Sequence, residues 1–181
     1  MLIPECLRHL PTYGGLPIPF FISIPTDGQR PDFRLINVRN ERLCLRFQLC
    51  HVCGVHIASP PYTFTLGPHS IAQRCVFSAP QHRACALAAL ELCPFLSLER
   101  FERSARASHL DERDLVPRDE LPDKPSRIAL VEVMRYGTTF NPAHALMRET
   151  PLYATFGPEL ESCRMEWYAY RDGVLELEVA R

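Results

Sequence analysis

The chain predicts an α+β fold: a treble-clef zinc lobe, built from a knuckle, a β-hairpin and a helix, packed with a small β-rich C-terminal part. Three observations carry that expectation. Cys50-His51-Val52-Cys53-Gly54 sets two thiols on a tight turn, and Pro80-Gln81-His82-Arg83-Ala84-Cys85 sets a His/Cys pair at the start of a helical stretch. Beyond residue 126 the sequence divides into short apolar runs of strand length separated by turn residues. The spacing alone is modestly specific, since a Cys-x-x-Cys pair arises by chance roughly 0.3 times in a chain with this many cysteines. Its setting adds weight. Gly54 relieves the turn so that backbone N–H groups can point at the sulfurs, and the first turn of a helix favours thiolate charge.

Residues 16–24 are β-favouring after Pro17 and Pro19, residues 25–28 (Pro-Thr-Asp-Gly) form a turn, and residues 33–36 resume the extended pattern. The chain therefore enters as strand, turn, strand. Over 37–49, apolar Val38, Leu43 and Leu45 alternate with Arg39, Arg42 and Arg46 at three- and four-residue steps, which predicts a short helix leading to Cys50. Residues 62–66 and 71–77 read as a hairpin that turns at Gly67-Pro68-His69-Ser70. Ser78 is the expected N-cap of the next helix, with Pro80 in its first turn and Gln81 closing a capping box; the helix runs over 84–93 and Cys93-Pro94 ends it. Residues 127–136, 151–156 and 164–170 read as strands, and Arg171-Asp172-Gly173 turns the last of these into 174–179. The organisation is then a zinc lobe with N-terminal strands over 1–97, a polar linker or excursion over 98–126, and a β-rich part over 127–181 that makes one compact unit with the first.

Cys50, Cys53, His82 and Cys85 together form a four-ligand set of the closed, structural zinc type, without the open position that catalytic zinc keeps. Cys44, His51, Cys75 and Cys93 are the competing ligands. Cys75 and Cys93 read as core residues, because free cysteine is among the most buried residue types. Cys6 and Cys163 lie far in sequence from any partner.

The ordered series Pro17-Ile18-Pro19-Phe20-Phe21, Pro31-Asp32-Phe33-Arg34, Cys50 to Gly54, Gly67-Pro68, Pro80 to Ala86 and Cys93-Pro94-Phe95-Leu96 resembles an uncharacterised family of bacterial and phage-borne proteins with a CxxCG…HxxC treble-clef zinc motif. The likeness covers residues 10–136 and weakens toward 170. It implies zinc at Cys50, Cys53, His82 and Cys85 and implies no activity. This chain departs from the pattern at His69, where the family carries another residue, and in a shortened tail after Tyr170; both departures count against a catalytic His69 and an oligomerising tail.

Composition bounds the function. The 181 residues are 46% apolar and 23% charged, with no apolar run near the roughly twenty residues of a membrane span and no basic N-terminal segment of a signal peptide. With eight cysteines and no export signal, a cytoplasmic protein with no membrane contact is expected. Residues 1–83 carry a net charge of +4 and residues 84–181 a net −5. Lys124 is the one lysine. Arg34, Arg39, Arg42, Arg46, Arg74 and Arg83 gather around the zinc lobe as candidate contacts to nucleic acid or a protein partner, and the acidic stretch 111–123 suits a basic partner. A treble-clef nuclease would use His69, with His56 beside it, but lacks the Asp-His pair that such sites need. Ser108, His109 and Asp111 are too close in sequence to converge as a triad, and no phosphate-binding glycine loop is present. The expected function is a non-enzymatic binding module stabilised by structural zinc. A nucleic-acid-binding regulator and a degenerate nuclease are the alternatives, and the choice between a protein and a nucleic-acid partner stays open.

Overall fold

The computed structural model describes residues 3–24, 30–31, 33, 36–99, 125–140 and 152–178. Helices and antiparallel sheets mix along them, in line with an α+β fold. A 3₁₀ turn, Glu5–Leu7, leads into a small hairpin of β1 (Thr12–Tyr13) and β2 (Leu16–Pro17). The strand expected over 16–24 stops at Pro17, since Pro19 has no N–H to continue a ladder; beyond it, Ile22 and Ile36 make an isolated antiparallel bridge. The turn expected at 25–28 lies outside the described residues.

Helix α1 (Val38–Phe47) forms where the arginine spacing places it. Asn37 caps it by accepting the Asn40 N–H at 3.1 Å, and Gln48 ends it in the left-handed region at φ 53°. One face buries Glu41, Cys44 and Leu45, while Arg39 and Arg46 lie exposed on the other.

The hairpin expected between the two cysteine groups does not form. After β3 (Tyr62–Leu66), Gly67 and Pro68 start a helix, α2 (Pro68–Gln73), because proline at the first helical position has its φ preset and no N–H to lose. Arg74 then turns the chain at φ 51° into β4 (Cys75–Val76). Ahead of α3 the chain returns to β3 as an isolated bridge of Thr63 and Gln81, whose backbone groups exchange hydrogen bonds of 2.8 and 3.3 Å. Ser78 is not a cap either. Residues 78–81 stay out of the helix because Pro80 disfavours helical geometry before it, and α3 (Arg83–Leu92) takes His82 as its N-cap residue. Helix α4 (Pro94–Ser97) follows directly after Cys93.

The remaining strands are β5 (Arg127–Val133), β6 (Gly137–Phe140), β7 (Leu152–Thr155), β8 (Arg164–Arg171) and β9 (Val174–Leu177), with a 3₁₀ turn at Pro158–Ser162. They form two antiparallel sheets, ordered β3-β5-β8-β9 and β4-β7-β6. Asp172 and Gly173, at φ 50° and 83°, make the β8–β9 turn of the left-handed type that matches strand twist. Strand β6 went unseen in the sequence because all four of its residues are exposed and show no apolar alternation.

Strand β5 sits between β3 and β8 and is buried on both faces. Ile128 and Leu130 pack with Ala86 and Leu90 of α3, and Ala129, Val131 and Val133 join the main core of Phe64, Leu66, Leu152 and Phe156. Phe64 stands edge-on to Phe156 and Tyr136, at 5.0 and 5.4 Å between ring centres. The Tyr136 hydroxyl donates to the Leu45 carbonyl at 3.1 Å and so ties the sheet to α1. On β8, Trp167 lies against this core with the Arg127 guanidinium 4.2 Å above its ring. No helix among the described residues is long and apolar enough to cross a membrane.

Candidate metal centre

Three pieces of chain meet beside this core. The knuckle, residues 50–54, is closed by hydrogen bonds from Gly54 N–H to the Cys50 carbonyl and from Cys50 N–H to the Val55 carbonyl, at 2.8 and 2.7 Å. Gly54 takes φ +75°, and a Cβ there would stand 2.7 Å from the Phe20 ring, so conformation and space both demand glycine. The N-terminal segment lies against the knuckle: Phe20 N–H donates to the Val52 carbonyl at 2.8 Å, and His9 Nε2 is 2.9 Å from the Cys53 carbonyl. The third piece is the start of α3, which follows the Thr63–Gln81 bridge.

These pieces bring Cys50, Cys53, His82 and Cys85 together, with one ligand atom of each within 4.8 Å of all the others. His82 Nδ1 is 3.4 Å from Cys53 Sγ and 3.9 Å from Cys85 Sγ, so Nδ1 is the ring nitrogen facing the sulfurs. The three cysteines are buried and His82 is partly so. The group can hold a metal ion. It is the one such cluster of Cys, His, Asp and Glu among the described residues.

The electrostatics suit an ion as well. Cys50 is held well below an ordinary thiol by hydrogen bonds from the Cys53 and Cys85 side chains, which with the Cys53 and His82 amides outweigh burial. The same contact with Cys50 pushes Cys53 up to about 11, with burial adding to it and Cys85 opposing it. Cys85 is driven well above the thiol range by its bonds to Cys50 and Cys53 and by burial. Three sulfurs thus share one favoured thiolate, sited where the His82 N–H reaches Cys50 Sγ at 3.4 Å and the positive end of α3 points. Cys53 and Cys85 would be the thiols that ionise if a cation were held here.

The competing ligands are placed elsewhere. All eight cysteines are free thiols. Cys44 is buried on α1, its thiol 3.8 Å from the Cys50 carbonyl and raised by burial first, then by the nearby Glu41, Cys50 and Cys53. Cys75 lies on β4 and Cys93 between α3 and α4. His51 has a neighbour at each ring nitrogen: Nε2 is 2.6 Å from Glu41 Oε2 and Nδ1 is 3.1 Å from Ser78 Oγ. Sequence reasoning missed Glu41 and Ser78. Glu41 lies on the same helical face as Cys44 and Leu45, a signal that three- and four-residue spacing could have supplied.

The arginines divide. Arg39 and Arg46 are exposed on α1, and Arg42 is partly buried. Arg74 pairs with Glu161. Arg83 turns inward over the sheet, with Nη2 2.6 Å from each Glu166 oxygen and Nε 3.2 Å from Glu132 Oε1. Arg164 completes the network, 2.8 Å from Glu166 and 3.6 Å from Glu132. Burial works to raise Glu166, but Arg83 and Arg164 outweigh it and hold the carboxyl below its usual range. His56 and His69 are exposed, His56 in a bridge with Leu49 and His69 on α2, and neither belongs to the metal cluster. Arg34, Ser108, His109, Asp111 and the acidic stretch 111–123 lie outside the described residues. No family model, no curated protein and no solved structure matches this chain.

Proposed function

We propose that the chain is a non-enzymatic binding module of the cytoplasm, held in shape by one structural zinc at Cys50, Cys53, His82 and Cys85. The four-ligand group carries this reading. A tetrahedron with Zn–S of about 2.3 Å and Zn–N of about 2.0 Å has edges of roughly 3.5–3.8 Å. The 3.4 and 3.9 Å separations around His82 Nδ1 and the 4.8 Å limit on the whole group suit that size with a small contraction. Three thiols and one imidazole are soft and borderline ligands that favour zinc over magnesium or calcium. Four protein ligands leave no position for a substrate, which supports a structural role for the ion. A knuckle, a returning chain that bridges β3 at Thr63 and Gln81, and a helix that supplies the last two ligands support a treble-clef description, with α2 inserted in the hairpin.

Elemental analysis of untagged protein tests the reading, with one zinc per chain as the expected result. Protein purified under reducing conditions that stays folded without zinc and takes none up would overturn it. A second reading, contact with nucleic acid, is favoured by the exposure of Arg39 and Arg46 along one side of α1. The inward pairing of Arg83 narrows the surface available to it. Binding that weakens steeply with salt and disappears in the charge reversal of Arg39 and Arg46 would select this second reading over a protein partner.

A further inference from the structure

Between the two knuckle cysteines stands a histidine that is not a ligand. The His51 ring is buried, with Phe21 packed on it at 4.0 Å between ring centres, and the His51 backbone N–H donates to the Pro80 carbonyl at 2.8 Å. Its neighbour Glu41 is buried, and neither Glu41 carboxylate oxygen nor His51 Nε2 has a hydrogen-bond partner of good geometry among the described residues. Placing a carboxylate there is costly unless a polar group offsets it, and the group against it is His51, whose Nε2 is 2.6 Å from Glu41 Oε2 in a close but poorly aligned contact. A ring proton on Nε2, toward the carboxylate, would leave Nδ1 a lone pair for the Ser78 hydroxyl, whose Oγ is 3.1 Å away. The order carboxylate, imidazole, hydroxyl is also that of a hydrolytic relay. Here the ring lies under Phe21 and its backbone is fixed between two metal-ligating thiols, which makes it a bracket.

The bracket joins the parts that a metal would join. Glu41 comes from α1, His51 from the knuckle that supplies Cys50 and Cys53, and Ser78 from the segment four residues before His82. We infer that Glu41 and Ser78, acting through His51, are positioning residues of the metal centre: they hold the Cys50/Cys53 knuckle toward His82 and Cys85, so that the ligands are already grouped when an ion arrives and release it slowly. This rests on the zinc reading above. Groups that orient metal ligands from outside the coordination shell typically control affinity by about 10–100-fold.

The test is the rate of zinc transfer from the full zinc-loaded chain to a chromophoric chelator. Glu41→Gln and Glu41→Ala are expected to speed transfer about tenfold or more, and Ser78→Ala by several-fold. Ile128→Ala, in the core between α3 and the sheet, serves as a control of comparable thermal destabilisation and is expected to leave the rate unchanged. Long-range ¹H–¹⁵N spectra of His51 should show the proton on Nε2 in the wild type and a changed ring signature in Glu41→Gln. Wild-type rates in Glu41→Gln and Ser78→Ala, or rates that simply follow stability as in the control, would overturn the inference while leaving the zinc reading standing. A wild-type chain that binds no zinc overturns both.

Discussion

The four-stranded sheet and the metal centre lie side by side and are held together by different means. In the sheet, β5 has neighbours on both edges and apolar partners on both faces, so hydrophobic burial and ladder hydrogen bonds are sufficient. At the metal centre the chain is mostly irregular, and its buried groups are thiols, an imidazole and a carboxylate. Such groups are costly in a core unless ionic and hydrogen-bonded partners satisfy them. One region is held by the apolar surface it buries, and the other needs partners for the polar groups it buries.

Removing the metal should break the comparison most sharply. Structural zinc contributes about 10–16 kcal/mol in small zinc domains. Chelation, or Cys50→Ser, is expected to lower the unfolding midpoint by more than any single core substitution. Amide exchange should then rise at residues 50–55 and 80–85 and stay slow along β5; uniform exchange across both regions would show that the sheet depends on the ion too. The reciprocal experiment is Phe64→Ala, which empties a fully buried site between Tyr136 and Phe156. A loss of about 3–5 kcal/mol is expected by denaturant titration, with metal content unchanged. Gly54→Ala tests the knuckle by itself: a side chain at φ +75° facing Phe20 should cost about 1–3 kcal/mol and weaken metal retention, both read in one thermal scan with a metal indicator.

The smallest effect belongs to the ion-pair network that links the start of α3 to β5 and β8. Glu166 is held below the usual carboxylate range, so its pairing with Arg83 and Arg164 is fully present above the unfolded-state value of about 4.3 and is lost as pH falls through its lower folded value. Wild type and Glu166→Gln should therefore differ in stability at neutral pH by less than about 1 kcal/mol and converge as the pH drops below 4. A difference that persists or grows in acid would mean that the carboxylate is not the source.

What could be read from the sequence follows the range of the interactions. The ligand spacings, the Asn37-capped helix and the Asp172-Gly173 turn are set by neighbours within a few residues, and each lies where the sequence places it. The pairing of β3 with β5 joins residues that are some seventy positions apart in the register Tyr62–Val133, and no local pattern encodes it. The same limit explains the false hairpin: residues 71–77 look like a strand in isolation, but Gly67-Pro68 starts a helix and Cys75 finds its partner at Thr155. Glu41 shows the limit at the site. Three- and four-residue spacing puts it on one face with Cys44 and Leu45, but nothing local shows that His51, ten positions on, folds back against it.

Trp167 turns the contrast between the two regions into something that can be watched separately. It is the one tryptophan of the chain, and it sits on β8 with Arg127 over its ring. Its emission reports on the sheet and the core that the sheet packs against. Thiolate-to-metal absorption, read on a cobalt-substituted sample, follows the other region alone, so one cuvette gives two independent melting curves and the gap between them measures how far the two are coupled.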